Sequence, residues 1–426
     1  MPGTAPARSH ATPAETFPGP LTGLRVVEVG DLVTAPFTGK IVADLGATVL
    51  KVEVPRTGDR SRLVGPFPHD EPHPEHSGLF VYLNAKKRGV TLDLESATGR
   101  ALFGRLIADA DVLVENVAPQ DSARLGLSPE DVRRANPGII HLSITPFGHS
   151  GPYASHRGYG LNVAAMSGLV LATGEAGRPP LPPPDFQEDF FTGVVGGLSV
   201  MLALAGADRA DAHGDAEARG EWIDLSGANA WMTFQTGMAV LQWIFSGRRT
   251  VRQGRRSAGN PYPYAILPCA DGYIRLIAMQ KIEWTRFVDI LGNPEWTKDA
   301  RFQNRLVMNQ KYHEELDALI QPWLSARTKN ELQDIFYTGG LPFTPVKDYA
   351  DVFNDPQLRA RGFFVPADQP GIGAFDVPGP PYHLRNEPLG AWRPAPGLGE
   401  HNDEVYGEHL GISARDRVAL QQAGVI

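Results

Sequence analysis

Short apolar runs alternate with segments of helical periodicity through the first 150 residues. Residues 24–30 form a Val-rich run of the kind that lies in a strand buried on both faces, and residues 36–45 follow with helical spacing before Gly46. Further runs of strand type occupy residues 48–54, 90–94, 111–116 and 139–144. Ser96 and Ser128 precede intervening helical segments as capping residues. Repeated strand–helix–strand units predict a parallel, doubly wound α/β sheet.

The loops after these strands are the predicted ligand-binding edge of the molecule. In a parallel α/β sheet, ligands bind beyond the carboxyl ends of the strands. Three segments follow predicted strands in this way, namely 31–34, 54–59 and 116–119. We therefore expect them to face a common ligand.

The second half of the chain departs from this alternation. Residues 221–245 form a long apolar segment with helical character, which we interpret as a linker. A smaller unit follows, with predicted strands at 262–267 and 273–278 and helices after them. Extended structure returns after residue 359, and the last 24 residues, 403–426, are predicted to be helical.

Composition excludes several classes of protein. The chain has 426 residues with 42% hydrophobic and 21% charged residues, as in an ordinary globular protein, and its length favours two domains. A net charge of −8 argues against nucleic-acid binding, and no uninterrupted apolar run of about 18 residues is apparent, so no membrane contact is expected. A single cysteine, Cys269, excludes an intrachain disulfide. Residues 1–20 contain no apolar segment and read as a disordered tail, which together with the single cysteine favours a cytoplasmic protein.

The common cofactor motifs are missing. No GxGxxG follows a strand, which argues against a nicotinamide or flavin cofactor and an ordinary dehydrogenase. Gly39-Lys40 resembles the end of a P-loop, but Thr34 stands where its first glycine should be. His313-Glu314 lacks the second histidine of HExxH. We expect no metal and no nucleotide cofactor.

From about residue 21 to the C-terminus the sequence resembles the class III CoA-transferases, a family that also contains formyl-CoA transferase, carnitine CoA-transferase and α-methylacyl-CoA racemase. The motifs that carry the resemblance are, in chain order, LADLGA-like ADLGA at 43–47, KVE at 51–53, GD at 58–59, NAKKR at 84–88, LDL at 92–94, VEN at 114–116, RLG at 124–126, GPY at 151–153 and LGEH at 398–401. Their unbroken order over about 400 residues makes the resemblance specific.

The resemblance implies that Asp189 is the catalytic nucleophile. The family's aspartate precedes a Thr/Ser-Gly pair at the start of an apolar helix, and here the segment reads Asp189-Phe190-Phe191-Thr192-Gly193. A helix N-terminus favours an ionised carboxylate, which then needs no separate base. Gly193, with Gly196 and Gly197, would let this helix approach another element or a bound thioester closely.

The same resemblance implies coenzyme A as the substrate and product that the site binds, with an acyl-CoA and a carboxylic acid as the reacting pair. The implied CoA contacts are Leu32, Val33, Thr34, Leu92, Asp93, Leu94, Asn116, Val117, Arg124, Arg157 and Tyr159. Arg124 matches a phosphate-binding arginine of the family. Val54 and Glu95 replace a common Arg and a common Lys, so phosphate contacts are expected to weaken or to shift to Arg56, Arg60, Lys87 or Arg88.

The family architecture implies a Rossmann-like large domain, a smaller α+β domain and an interlocked homodimer. The implied boundaries are 21–206 and 355–426 for the large domain, 247–346 for the small domain, and linkers at 207–246 and 347–354.

Two alternatives to transfer remain open. An α-methylacyl-CoA racemase shares the fold and would use a histidine where Tyr159 stands here, and tyrosine is a poor base at neutral pH. The proline-rich segment 179–184 is somewhat racemase-like. A non-catalytic CoA-binding protein would also fit the scaffold, although Asp189 is retained.

Overall fold

The computed structural model describes residues 19–212, 219–249, 251–257, 259–385, 389 and 391–426. The predicted disordered tail, 1–20, lies outside the described residues except for Gly19 and Pro20. The chain divides into two compact units. The first comprises the chain up to Gly168 with Pro183–Val240 and Gly362–Ile426, and the second comprises Leu169–Pro182 and Leu241–Arg361.

The secondary structure contains alternating strands and helices in the first half, as the pattern predicts. The strands are β1 Arg25–Val29, β2 Thr48–Glu53, β3 Arg88–Thr91, β4 Val112–Glu115, β5 Ile140–Thr145, β6 Glu221–Ser226, β7 Tyr264–Cys269, β8 Gly272–Ile277, β9 Thr344–Val346, β10 Phe364–Gln369 and β11 Gly373–Pro378. The helices are α1 Thr34–Asp44, α2 Gly78–Asn84, α3 Ala97–Ile107, α4 Pro119–Ser122, α5 Pro129–Ala135, α6 Gly160–Met166, α7 Leu169–Ala172, α8 Gln187–Ala212, α9 Gly227–Trp231, α10 Gly237–Ser246, α11 Lys281–Ile290, α12 Arg305–Lys311, α13 His313–Ser325, α14 Lys329–Thr338, α15 Tyr349–Phe353, α16 Pro356–Ala360 and α17 Ala414–Gln422.

A six-stranded sheet forms the centre of the first unit. Its order is β3-β2-β1-β4-β5-β6, and every neighbouring pair is parallel. Alternate residues of β1 pack on opposite faces: Val26 joins the core on the side of α1 and α8, and Val27 joins the core formed with α3 and α5. The predicted doubly wound sheet is therefore confirmed. The strand order reverses between β1 and β4, so the loops after these two strands lie at the point of the carboxyl edge where sheets of this kind bind ligands.

Two predicted helix caps are confirmed. The Ser96 hydroxyl accepts a hydrogen bond from the Gly99 backbone N–H at 2.9 Å, and the Ser128 hydroxyl accepts one from Asp131 N–H at 3.1 Å. Each hydroxyl satisfies a backbone donor that the first turn of a helix leaves without an intrahelical partner.

The prediction that residues 221–245 form a helical linker was wrong at its start. Glu221–Ser226 is β6, which pairs in parallel with β5, and helices begin only at Gly227. The side chains of this segment alternate between the core and solvent every second residue, since Ile223 packs towards the core and Trp222 is 40% exposed. Counting apolar residues over the longer window concealed this alternation. Likewise, residues 92–94 lie beyond β3 rather than within it, since the pairing of β3 with β2 ends at Thr91.

The second unit contains an antiparallel sheet, in the order β7-β8-β9, and the helices packed on it. Its first strand begins at Tyr264, two residues later than predicted, because Pro263 has no N–H to donate to a ladder. Phe287, Phe336 and Phe343 pack against one another in the core of this unit.

Helix α8 contains the most apolar long segment in the described part of the chain. Gln187–Arg209 has a mean hydropathy of 1.9 and is 39% buried, so by length and composition it could cross a membrane. The expectation that no such run exists was wrong, because small residues between the Val and Leu positions conceal its hydropathy. A core helix of a globular protein passes the same test, and one side of α8 packs on α1.

Candidate active site

The loop between β1 and α1 is held by the asparagine that follows β4. Asn116 accepts a hydrogen bond from the Asp31 backbone N–H at 3.0 Å, and its side-chain amide donates to the Asp31 carbonyl at 2.8 Å. The same amide donates to the Thr34 hydroxyl at 2.9 Å. The structure therefore brings together the loops after β1 and β4, as their positions at the carboxyl edge predict.

A second support for this loop comes from Asp59, which follows β2. Leu32 has a φ of 59°, a left-handed conformation that is costly for a side chain of its size. Its backbone N–H donates to the Asp59 carboxylate at 3.0 Å, and the same oxygen accepts from Ser61 N–H at 2.7 Å. These bonds hold the loop in a conformation that Leu32 would not adopt alone.

Buried ion pairs fix Asp59 in turn. The Lys51 ammonium lies 2.7 Å from the Asp59 carboxylate and 2.9 Å from the Glu28 carboxylate, and all three side chains are fully buried. The Lys87 ammonium lies 2.6 Å from the other Glu28 oxygen. Burial alone would raise the pKa of Glu28, but Lys51 and Lys87 reverse this and hold it below its usual value. Burial lowers the pKa of Lys87 to about 8, although Glu28 opposes the shift.

A further buried pair lies beside this group. The Arg62 guanidinium is 1% exposed and bonds to both Glu53 carboxylate oxygens at 2.8 Å. Its third contact is to Glu75 at 2.7 Å. We call Glu28, Lys51, Glu53, Asp59, Arg62 and Lys87 the buried ionic network, in which each carboxylate has a cationic partner.

Asp189 lies in the first turn of α8 in a different environment. Its carboxylate packs over Gly160, where an added Cβ would lie 2.5 Å from Oδ2. No ion pair to Asp189 occurs within the described parts of the chain. Burial, with a smaller contribution from the neighbouring Glu188, raises the pKa of Asp189 to about 6. The expectation that the helix N-terminus alone would favour ionisation was therefore incomplete, although the carboxylate is still mostly ionised at neutral pH.

The glycines after Asp189 bring α8 against α1. An added Cβ at Gly193 would lie 3.0 Å from the Thr34 carbonyl, and one at Gly196 would lie 2.4 Å from the Thr38 hydroxyl. Thr38 also donates a hydrogen bond to the Gly193 carbonyl at 3.0 Å. The predicted close approach is thus to another helix. Asp189 lies one helical turn before Gly193, the residue that packs against the Thr34 carbonyl at the start of α1.

The remaining sequence-predicted contacts lie around the same edge. Residues 92–94 follow β3, where Asp93 N–H donates to the Val425 carbonyl at 2.8 Å. Leu92 and Leu94 are buried. Val117 is half-buried, and its N–H donates to the Glu115 carboxylate at 2.6 Å.

The cations predicted to bind phosphate differ in their exposure and in whether they already form ion pairs. Arg124 forms ion pairs with Asp121, at 2.8 Å, and with Glu95, the residue that replaces the family's lysine. Arg157 is exposed. Lys87 was wrong as a substitute phosphate contact, because its ammonium is buried between Glu28 and Asn84. Arg88 is half-buried and pairs with Glu404.

Sequence reasoning missed the positions of two further residues. Gly160, the first residue of α6, was not singled out, although glycine is the residue that lets another group approach the backbone closely. Arg60 was named only as one of four possible phosphate contacts, yet its Nη1 lies 3.4 Å from the Tyr159 hydroxyl. Tyr159 itself is 61% exposed and directly precedes Gly160. No local pattern indicates that residues 60 and 159 meet.

No group of three or more His, Cys, Asp or Glu side chains arranged to hold a metal ion occurs among the described residues.

These features define an α/β protein with a parallel sheet and, against Gly160, a carboxylate that has no counter-ion in the described parts of the chain. The chain belongs to CoA-transferase family III, whose model matches residues 21–402. The succinate–glutarate CoA-transferase of Agrobacterium fabrum is 33% identical over 397 residues, covering 91% of this chain and 95% of that protein. A subunit of succinyl-CoA:(R)-benzylsuccinate CoA-transferase from Thauera aromatica is 33% identical over 396 residues, covering 90% of this chain and 93% of that protein. A CaiB/BaiF family protein from Brucella suis has a TM-score of 0.80 at 30% identity, covering 92% of this chain and 99% of that structure.

Proposed function

We propose that this protein transfers CoA from an acyl-CoA to a carboxylic acid and that Asp189 forms the covalent intermediates, first an acyl anhydride and then a CoA thioester. The observation that carries this proposal is a carboxylate that has no counter-ion among the described residues and packs over Gly160 at the start of α8. Asp189 is the third residue of α8 rather than the residue that caps it, so a capping role does not account for an aspartate here. With a pKa of about 6, Asp189 is ionised at neutral pH and remains weakly solvated.

The proposed reaction exchanges one activated carboxyl group for another. A carboxylate oxygen of Asp189 attacks the thioester carbonyl, the C–S bond breaks, and a mixed anhydride and CoA thiolate form. The thiolate then attacks the Asp189 carbonyl of the anhydride, which releases the donor acid and leaves an aspartyl-CoA thioester. The acceptor carboxylate repeats both steps in reverse order, so the reaction needs no ATP.

The loops at the carboxyl edge are proposed to hold CoA. Residues 32–34, clamped by Asn116 and Asp59, would present backbone groups to the cofactor portion of the substrate. The other proposed contacts are Leu92, Asp93, Leu94, Val117, Arg124, Arg157 and Tyr159. Because Arg124 already pairs with two carboxylates, we expect it to contribute less to phosphate binding than an unpaired arginine would.

The names of the relatives suggest the substrate class. Succinate, glutarate and benzylsuccinate each carry a second carboxylate besides the one that becomes a thioester. We propose dicarboxylic acids as substrates for this chain as well.

We also propose the interlocked homodimer that the family resemblance implies, in the cytoplasm. Exposed apolar side chains support a partner: Leu202 on α8 is 64% exposed, and Met238 and Phe245 on α10 are 79% and 83% exposed. Exposed apolar side chains of this kind favour contact with another protein surface. Light scattering should give twice the chain mass of 46.2 kDa. A monomer at concentrations that support activity would contradict the dimer.

Trapping with hydroxylamine tests the central proposal. Incubating the protein with succinyl-CoA and hydroxylamine should place a hydroxamate on Asp189, detectable by peptide mass spectrometry. Asp189→Asn should lower kcat by at least about 10³-fold while CoA still binds. Asp185→Asn, which changes an exposed carboxylate four residues earlier, is the matched control and should retain activity. Normal transfer by Asp189→Asn would exclude the mechanism, and deuterium exchange at C2 of 2-methylacyl-CoA would instead indicate a racemase.

A further inference from the structure

Two arginines of the loop after β2 point in different directions. Arg56 and Arg60 are both exposed and only four residues apart. The Arg56 guanidinium lies near Gly424, 3.4 Å from where a Cβ would stand, and the next residue, Val425, accepts a hydrogen bond from Asp93. Arg56 is therefore on the side of the predicted CoA contacts 92–94. Arg60 lies on the side of Tyr159, and the next residue, Gly160, contacts the Asp189 carboxylate.

Arg60 is held in one orientation by Asp31. The Asp31 carboxylate accepts a hydrogen bond from the Arg60 backbone N–H at 2.9 Å and forms an ion pair with Arg60 Nε. Asp31 itself is fixed by Asn116, and Asp59, the residue before Arg60, belongs to the buried ionic network. A long side chain that is normally mobile is therefore pre-oriented, which lowers the entropy lost when it binds a ligand.

The outer edge of the Arg60 guanidinium remains available. Its contacts among the described residues use Nε for Asp31 and Nη1 for a long hydrogen bond of 3.4 Å to the Tyr159 hydroxyl. The side chain is 56% exposed and Tyr159 is 61% exposed. The Nη1–Nη2 edge of an arginine matches a carboxylate in geometry and can bind it through two parallel hydrogen bonds.

We infer that Arg60 and Tyr159 form a specificity subsite that binds the free carboxylate of a dicarboxylic acyl group while the other carboxyl group reacts at Asp189. The inference rests on the proposed function and adds the residues that select the substrate class. Tyr159 directly precedes the glycine against the Asp189 carboxylate, so an anion held by this pair lies on the reacting side of the site. Asp31 neutralises part of the Arg60 charge, so shape and hydrogen bonding decide the selection more than net charge does.

Binding to a chain that cannot react tests the subsite without requiring turnover. In an Asp189→Asn background, glutaryl-CoA should bind about 10–100-fold more tightly than pentanoyl-CoA, which has the same chain length and no second carboxylate. Adding Arg60→Gln should remove this difference and leave the affinity for pentanoyl-CoA and for free CoA unchanged. Arg60→Lys should retain only part of it, and Tyr159→Phe should reduce it by about 3–10-fold.

Comparison variants separate this role from phosphate binding. Arg56→Gln should preserve the ratio of the two affinities, whatever its effect on CoA itself. Arg133→Gln, which changes an exposed arginine on α5, should alter neither affinity nor ratio. Equal affinity for the two thioesters, or an Arg60→Gln variant that weakens free CoA and both thioesters equally, would overturn the subsite. Since hydroxamate formation on Asp189 is measured separately, failure of the subsite leaves the proposed transfer reaction standing, and the reverse also holds.

Discussion

The buried ionic network and the Asp189 site lie in the same compact unit, but the carboxylates in them have opposite electrostatic environments. Glu28 and Asp59 are buried, and each lies within 3 Å of a lysine ammonium. Asp189 is only partly buried, yet it has a raised pKa because no cation among the described residues offsets its burial and the nearby Glu188. Burial by itself therefore does not determine whether a carboxylate is ionised. Counter-ions stabilise the ionised carboxylates of Glu28 and Asp59, which therefore form a rigid support. Asp189 has no such counter-ion among the described residues, so its carboxylate is poorly stabilised and available to react.

The largest effect is expected from removing the cation at the centre of the network. Lys51→Met leaves the Glu28 and Asp59 carboxylates buried with fewer partners, so the free energy of unfolding should fall by about 3–5 kcal/mol. Urea denaturation measures this loss. Arg134→Gln, which breaks the exposed Arg134–Asp131 pair, is the control and should leave the unfolding midpoint nearly unchanged. A Lys51→Met variant as stable as the parent would mean that the network is not a support.

Moving the unpaired carboxylate should affect activity more than stability. Gly160→Ala introduces a methyl group 2.5 Å from Asp189 Oδ2, so the carboxylate must shift, and kcat should fall by about 30–100-fold. The matched control is Gly104→Ala in α3, where an added Cβ meets nothing within 4 Å. Steady-state kinetics with thermal melting distinguishes the two effects. Full activity in Gly160→Ala would show that the Gly160 contact does not position the nucleophile.

The raised pKa of Asp189 carries a stability cost that should build up between about pH 4 and pH 6 and be fully present above pH 6. The folded-state pKa of about 6 exceeds the ordinary value of 3.8, so the folded protein binds more protons between these values and loses stability as the pH rises through them. Asp189→Asn cannot ionise and should be more stable than the parent at pH 7 by about 1–2 kcal/mol, after allowance for partial exposure. Below about pH 4 the two proteins should have nearly the same free energy of unfolding. An Asn variant less stable at pH 7 would indicate that the carboxylate is compensated.

The smallest expected effect comes from the neighbouring carboxylate. For the parent, kcat/KM should fall below about pH 6 as Asp189 becomes protonated. Glu188→Gln removes the smaller of the two causes of the raised pKa, so the acidic limb should move down by a few tenths of a pH unit. A pH–rate profile of both proteins measures the shift. Movement towards higher pH would contradict the assigned sign.

The alternation of strands and helices was predictable because a strand buried on both faces leaves a local signature. Five of the six strands of the parallel sheet were located this way, and Ser96 and Ser128 marked helix starts through their caps. The sixth strand was missed because Trp222 and Ile223 alternate within a longer apolar window. The loops after β1, β2 and β4 were expected at one edge, since parallel strands end there together.

Two of the cations named as phosphate contacts form ion pairs that the sequence did not reveal. Lys87 is paired inside the network, and Arg124 is paired with Glu95 at the surface. Which carboxylate a cation meets depends on residues 29 and 59 positions away in the chain, so no local pattern could decide it.

By itself, the sequence determined the parallel α/β sheet, the family motifs and the aspartate at the start of an apolar helix, because these depend on periodicity and on order along the chain. Only the tertiary structure decided which charges are neutralised, that Gly160 lies under Asp189, and that Arg60 meets Tyr159. Burial and ion pairing are properties of side chains that folding brings together from distant segments, and they set the pKa and the orientation of the groups proposed to react.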